Sequence, residues 1–158
     1  MIRILAVGKV KEKSMKDLIA EYSKRISGYE RIEIFEAEEE KIPQNNSEAE
    51  NLKAIEAEGK RILEKIKPSD YVVLLDLKGE DIDSVKLADK LEKLRTYGAG
   101  TLDFVIGGSL GTSAELKKRA DWKWKLSELT FPHQLARVIV LEQIYRSFKI
   151  QHNEPYHK

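Results

Sequence analysis

No cysteine occurs among the 158 residues. That excludes disulfides, thiolate zinc sites and cysteine nucleophiles, and it fits a reducing cytoplasm. Long apolar runs are missing too. The opening MIRILAVGKVKEK is a brief apolar stretch followed by charge, without the core and cleavage site of a signal peptide. No run is long enough to span a bilayer. Histidine is scarce: there are three, two of them in a tail whose only acid is Glu154, which does not make a metal site. Charge of one sign is not in excess, and the total of +1 says nothing about a nucleic-acid partner.

What is present is a core's worth of aliphatic residues. At 41% apolar content the chain is long enough to bury one domain, residues 1–158, without staples. Charge is unevenly distributed. Residues 30–58 hold ten acids against three bases, whereas residues 117–158 hold nine bases against four acids and all three histidines. A basic, aromatic-containing end is compatible with an anionic partner such as RNA, and equally with a solvated surface.

Taken in order, Ile2 to Val7 reads as a buried strand ended by Gly8. Met15, Leu18, Ile19, Tyr22 and Ile26 share one helical face over residues 13–27. Arg31 to Phe35 alternates as a half-buried strand, and Pro43 interrupts the charged stretch after it. Ser47 with Glu50 is a capping box for a helix carrying Leu52, Ile55, Ile62 and Ile66. Tyr71 to Leu77, apolar almost throughout, reads as a strand covered on both faces, as in a parallel sheet. Leu87 to Leu94 marks a helix, and Leu102 to Ile106 a strand running into Gly107-Gly108-Ser109-Leu110-Gly111. Thr112 with Glu115 is read as a second capping box. The alternation predicts α/β architecture with a mostly parallel sheet flanked by helices.

Five stretches carry chemistry. The glycine loop after a strand lets main chain approach a ligand closely, but it is neither a P-loop nor GxGxxG, and a structural turn is the alternative. Asp76, at the end of its strand, either contacts a ligand hydroxyl or caps a turn. The segment LSELTF (126–131) precedes Pro132, which is placed to open a helix; Ser127 and Thr130 either cap it or bond a ligand. That helix, from Pro132 to about Ile150, is apolar over more than half its circumference, which predicts burial on two sides: against its own sheet, and against a second subunit or more of the same domain. The tail, His152 to Lys158, offers Tyr156 for stacking on a base and His157 for proton transfer; from the residues alone a floppy tail is the alternative.

Together, AVGK, LLDLKG, FVIGGSLG, LSELTFPHQLARVIVLEQIYRSFKI and the closing PYHK resemble the bacterial large-subunit ribosomal RNA pseudouridine-N3 methyltransferases, small members of the SPOUT class. The resemblance spans the whole chain. It implies a C-terminal trefoil knot, a homodimer, and S-adenosylmethionine bound by Leu75, Gly107, Leu126, Ser127, Glu128, Leu129, Thr130 and Phe131. It implies a substrate pseudouridine in 23S ribosomal RNA within the assembled ribosome, methylated at N3, and a cytoplasmic enzyme without a metal. The tail, from its own or the other subunit, is expected over the target base. His157 is the expected proton acceptor or base-binding group, with Tyr156 and Arg146 positioning the nucleotide. The family's final cation is expected as Arg; here it is Lys158, which lacks the bidentate fork. Two rival readings stand beside this one: another SPOUT activity, such as transfer RNA ribose methylation, and a non-catalytic RNA- or nucleotide-binding α/β module.

Overall fold

The computed structural model describes all 158 residues. The elements are β1 (Ile2–Val7), α1 (Lys13–Ser27), β2 (Ile32–Ala37), α2 (Glu48–Leu63), β3 (Tyr71–Asp81), α3 (Ser84–Thr96), β4 (Leu102–Ile106), α4 (Ala114–Arg119), β5 (Trp122–Lys125) and α5 (His133–Gln151). The strands form one sheet in the order β2-β1-β4-β3-β5, with every pairing parallel. The α/β, parallel-sheet expectation is met.

The pleat sorts the core into two layers. On one face Ile2, Ile4, Val73 and Phe104 pack with Ile26 of α1, Leu87 and Leu91 of α3, and Val140, Leu141, Ile144 and Phe148 of α5. On the other, Leu5, Val7, Val72, Leu74 and Val105 pack with Ile62 of α2 and Leu116 of α4. Each fully buried Ile, Leu or Phe contributes ~1.5–3 kcal/mol by leaving water. β4 is buried at all five positions. Its one polar residue, Asp103, is held by Arg3 through Nε and Nη2, both at 2.7 Å.

Several boundaries differ from the periodic pattern. β2 begins one residue later and runs on to Ala37. β3 continues past Leu77 to Asp81, because after a register break between Leu75 and Glu80 it pairs with β5 again. β5 itself has only four residues, Trp in and Lys out, too few for the pattern to announce it. The cap of α4 is Ser113, not Thr112: Ser113 Oγ accepts from Leu116 N–H at 3.2 Å. Ser47 caps α2 as expected, accepting from Glu50 N–H at 3.2 Å.

α5 lies on the sheet beside both α1 and α3. Its sheet-facing side is buried, while Leu135, Ile139, Glu142 and Arg146, spaced three and four apart, form a half-buried stripe on the side away from the sheet. The end of the chain is packed, which overturns the floppy-tail alternative. The Tyr156 ring meets Tyr145 edge-on at 4.9 Å, and Glu154 accepts from Tyr29 Oη at 2.9 Å and from Lys149 Nζ at 2.6 Å.

Candidate cofactor cleft and a remote basic cluster

A cleft of about 180 Å³ opens beyond the carboxyl ends of β3 and β4, where parallel α/β sheets place ligands. Leu75, Asp76 and Leu77 come from β3. Ile106 and Gly107 come from the end of β4, with Thr112 across the glycine loop. Leu126, Ser127, Leu129, Thr130 and Phe131 form the far wall, and His133 and Ala136 of α5 close one end. Thus seven of the eight expected cofactor residues converge. The eighth, Glu128, does not line the cleft; its exposed carboxylate pairs with Lys125 Nζ. His133, Thr112 and Ala136 were not expected in the site: Thr112 was read as a helix cap, and nothing in the sequence distinguishes a helix-start histidine from a solvated one.

Three local features shape the cleft. Asp76 caps its own turn, accepting from Lys78 N–H at 2.9 Å, so the turn-cap alternative is the one its side chain adopts. At Gly107 an added Cβ would stand 2.8 Å from Thr112 Oγ1 and 3.1 Å from the Gly111 carbonyl oxygen, so only glycine leaves that wall open. Between Leu126 and Phe131 one main-chain group is hydrogen-bonded, Leu129 N–H donating to the Ser127 side-chain Oγ at 3.0 Å. The remaining N–H and C=O groups of the segment are unpaired within the protein. These groups border the cleft, with Glu128 to Thr130 exposed, so solvent or a ligand can meet them.

The three expected catalytic residues also come together, but elsewhere. Arg146 donates from Nε to Glu142 Oε1 at 2.9 Å and stacks its guanidinium over the Tyr156 ring at 4.8 Å. Arg146 Nη1 lies 3.1 Å from His157 Nδ1. A guanidinium only donates, so Nδ1 is the acceptor and the neutral ring carries its proton on Nε2. Tyr156 donates to Glu142 Oε1 at 3.1 Å. Burial first, then hydrogen bonding with Tyr22 and the nearby Glu142 charge, push its phenol up to about 12, so it stays protonated near neutrality. From Ala136 in the cleft to Arg146 is ten residues of helix, about 15 Å of rise. Within one chain the cluster and the cleft sit toward opposite ends of α5.

An open parallel sheet with a cleft past its carboxyl ends defines an α/β protein with a candidate small-molecule site at that edge. A family model described as "Predicted SPOUT methyltransferase" matches residues 1–157, and the chain belongs to that family. It is 53% identical over 157 residues to a ribosomal RNA large subunit methyltransferase H 1 of Clostridium perfringens, covering 99% of each chain. To the ribosomal RNA large subunit methyltransferase H of Carboxydothermus hydrogenoformans it is 51% identical over the same span, again 99% of each. Among solved structures, a probable methyltransferase from Bordetella pertussis superposes with TM-score 0.55 at 11% identity, over 92% of this chain and 95% of that one. A probable methylase family protein from Haemophilus influenzae gives 0.53 at 14%, over 99% and 70%. Those two likenesses concern the fold alone.

Membership makes the chain a methyltransferase and S-adenosylmethionine its methyl donor. The non-catalytic reading is set aside. The residues present fit that cofactor: Leu75, Leu126, Leu129 and Phe131 would give apolar walls to an adenine ring, and the main chain of 126–131 would give donors and acceptors to its edge and to an amino-acid group.

Proposed function

We propose that the protein methylates N3 of a pseudouridine in 23S ribosomal RNA, in the assembled ribosome and hence in the cytoplasm. The curated relatives, named for large-subunit ribosomal RNA at about half identity over the full chain, support this target over a transfer RNA ribose. S-adenosylmethionine supplies an electrophilic methyl on its sulfonium. The N3–H of the base lies between two carbonyls and must lose its proton, here to solvent water, as the methyl leaves sulfur for N3 and S-adenosylhomocysteine departs. The chain's part is to align the base, exclude water and favour the developing N3 anion.

The observation that carries the mechanism is the separation along α5. Cleft and cluster are both needed at one base, and about 15 Å of rigid helix divides them. A two-fold pairing along the half-buried Leu135–Ile139 stripe, with the two α5 helices antiparallel, sets one subunit's cluster beside its partner's cleft. In this reading the protein is a homodimer, its C-terminal segment is threaded as the family's knot, and each active site is shared. His157 then binds the base, donating from Nε2–H to a ring carbonyl where negative charge builds; with Nδ1 taken by Arg146, it is a charge stabiliser rather than the proton acceptor. Arg146 and Tyr156 hold that ring, and the Arg146 cation adds to the field. Lys158 supplies general attraction to phosphate.

The test is methyl transfer to purified ribosomes from a strain lacking the gene, read by mass spectrometry of the ribosomal RNA. A methyl gained on a pseudouridine at N3 is the expected result. Transfer to another nucleotide or to transfer RNA alone would overturn the substrate, and calorimetry with S-adenosylmethionine checks the cofactor separately.

A further inference from the structure

At the amino-terminal end of β3, opposite the cleft, lies a second groove of about 420 Å³. Ser69 and Tyr71 line one side, and Lys93, Leu94 and Tyr97, at the carboxyl end of α3, line the other. Tyr97 is the most exposed of the large apolar side chains, at 85%. It is nonetheless held on a rigid support. Its N–H donates to the Lys93 carbonyl at 2.9 Å and Ala99 N–H to the Leu94 carbonyl at 3.0 Å, with Gly98 at φ +116° making the turn between them. A fixed aromatic ring left in water adds little to the fold and presents both faces to a planar partner.

The charges around that ring favour an anionic one. Both acids lining the groove are engaged: Asp70 by Arg3 Nη2 at 2.8 Å, which is shared with buried Asp103, and Asp121 by Arg119 Nη1 at 3.0 Å. Lys93 has only a surface pair, with Asp89 one turn back on its own helix at 2.7 Å, which a phosphate can displace. Lys67 and Lys90 make no ion pair. Lys90 stands 4.5 Å over the Trp122 ring instead, on the helical face it shares with Leu94 and Tyr97. The main chain around Lys67 is pinned, because Arg119 Nη2 donates to its carbonyl at 3.1 Å and Asp70 accepts its N–H at 2.7 Å. An exposed aromatic among cations free to meet phosphate is the pattern of a surface for unpaired nucleic acid.

We propose that this groove is a second RNA-binding surface, on which one unstacked base of ribosomal RNA lies against Tyr97 while Lys93 and Lys67 meet its flanking phosphates. The proposal rests on the substrate reading above and adds a contact remote from the reacting base. Four residues of β3, about 13 Å, separate Tyr71 at the groove from Leu75 at the cleft. The base on Tyr97 therefore belongs to a part of the RNA other than the target nucleotide. Stacking accepts any base, so the surface adds affinity without reading sequence.

Methyl transfer to purified ribosomes, with KM and kcat separated, is the test. Tyr97→Ala should raise KM about tenfold and leave kcat and S-adenosylmethionine affinity unchanged. Tyr97→Trp, which keeps a stacking face, should restore the parent KM. Lys93→Gln should lower the slope of log KM against log salt by about 1. A photoreactive benzoylphenylalanine at position 97, irradiated on the ribosome, should crosslink to ribosomal RNA. A parent inactive on ribosomes would overturn the substrate reading and this one with it. With an active parent, an unchanged KM for Tyr97→Ala, a Trp variant as weak as the Ala variant, or a crosslink to ribosomal protein would each overturn this surface alone.

Discussion

Glu58 sits 3% exposed behind the glycine loop, accepting a single hydrogen bond from Glu40 N–H at 3.1 Å. Burial, aided by Glu39 and Glu40, pushes its carboxyl above the ordinary carboxylate range. Its folded-state pKa is thus higher than its unfolded one. The fold binds this proton more tightly, so the group imposes no cost in acid, and a cost that grows as pH rises through that raised value. Glu58→Gln keeps the acceptor and removes the charge. Its Tm should match the parent near about pH 4 and exceed it by roughly 2–4 °C near neutrality, read by scanning calorimetry at a series of pH values. Gly107 carries a different prediction: with the Gly111 carbonyl in the way of a Cβ, Gly107→Ala should weaken S-adenosylmethionine binding about tenfold in calorimetry. His157→Ala should leave that affinity intact and lower turnover on ribosomes about 100-fold. At this scale the sequence was informative about which residues matter, less so about how. LSELTF was legible as a wall, but only coordinates reveal that its main chain is unpaired and that Glu128 turns away to Lys125. His157 was legible as polar chemistry, whereas the proton on Nε2 follows from Arg146, eleven residues away.

Among the elements, α5 was the most readable, because apolarity over more than half a helix's circumference has few explanations in a short chain. Its half-buried stripe is the surface proposed for pairing. Ile139→Glu should convert the protein to a monomer by light scattering while leaving its far-UV circular dichroism unchanged, since Ile139 is not part of either buried layer. The pairing of β3 with β5 was not readable. It hinges on Gly79, where a Cβ would come within 2.7 Å of the Lys123 carbonyl group. That is backbone against backbone, and neither side can rotate away. Gly79→Ala should cost about 1–3 kcal/mol in urea unfolding. A lone glycine in a strand signals a close approach without naming the partner, and β5, at four residues, is too brief to supply the name.

For the whole molecule, the opposed placement of cleft and cluster makes a prediction that a single chain cannot. Gly107→Val and His157→Ala protomers are each expected to be inactive. Mixed in equal amounts and allowed to exchange, half the dimers are hybrids, and each hybrid has one site with both halves intact. Activity on ribosomes should therefore recover to about one quarter of the parent's. If the tail served its own cleft, mixing would recover nothing.

The position of β4 has a consequence for how the molecule is made. It is the middle strand, yet it is fourth in sequence, and it joins β1 to β3 by pairing Ile2 and Tyr71 alike with Leu102. A chain emerging from the ribosome as far as α3 holds β1 and β3 with nothing between them, two unsatisfied edges awaiting one five-residue insert. Synthesis at roughly 5–20 residues per second leaves that gap open for seconds, and the search to close it spans about 100 residues of chain. Open strand edges of this kind favour aggregation, and refolding from denaturant should be slow and concentration-sensitive at the very step where β4 goes in.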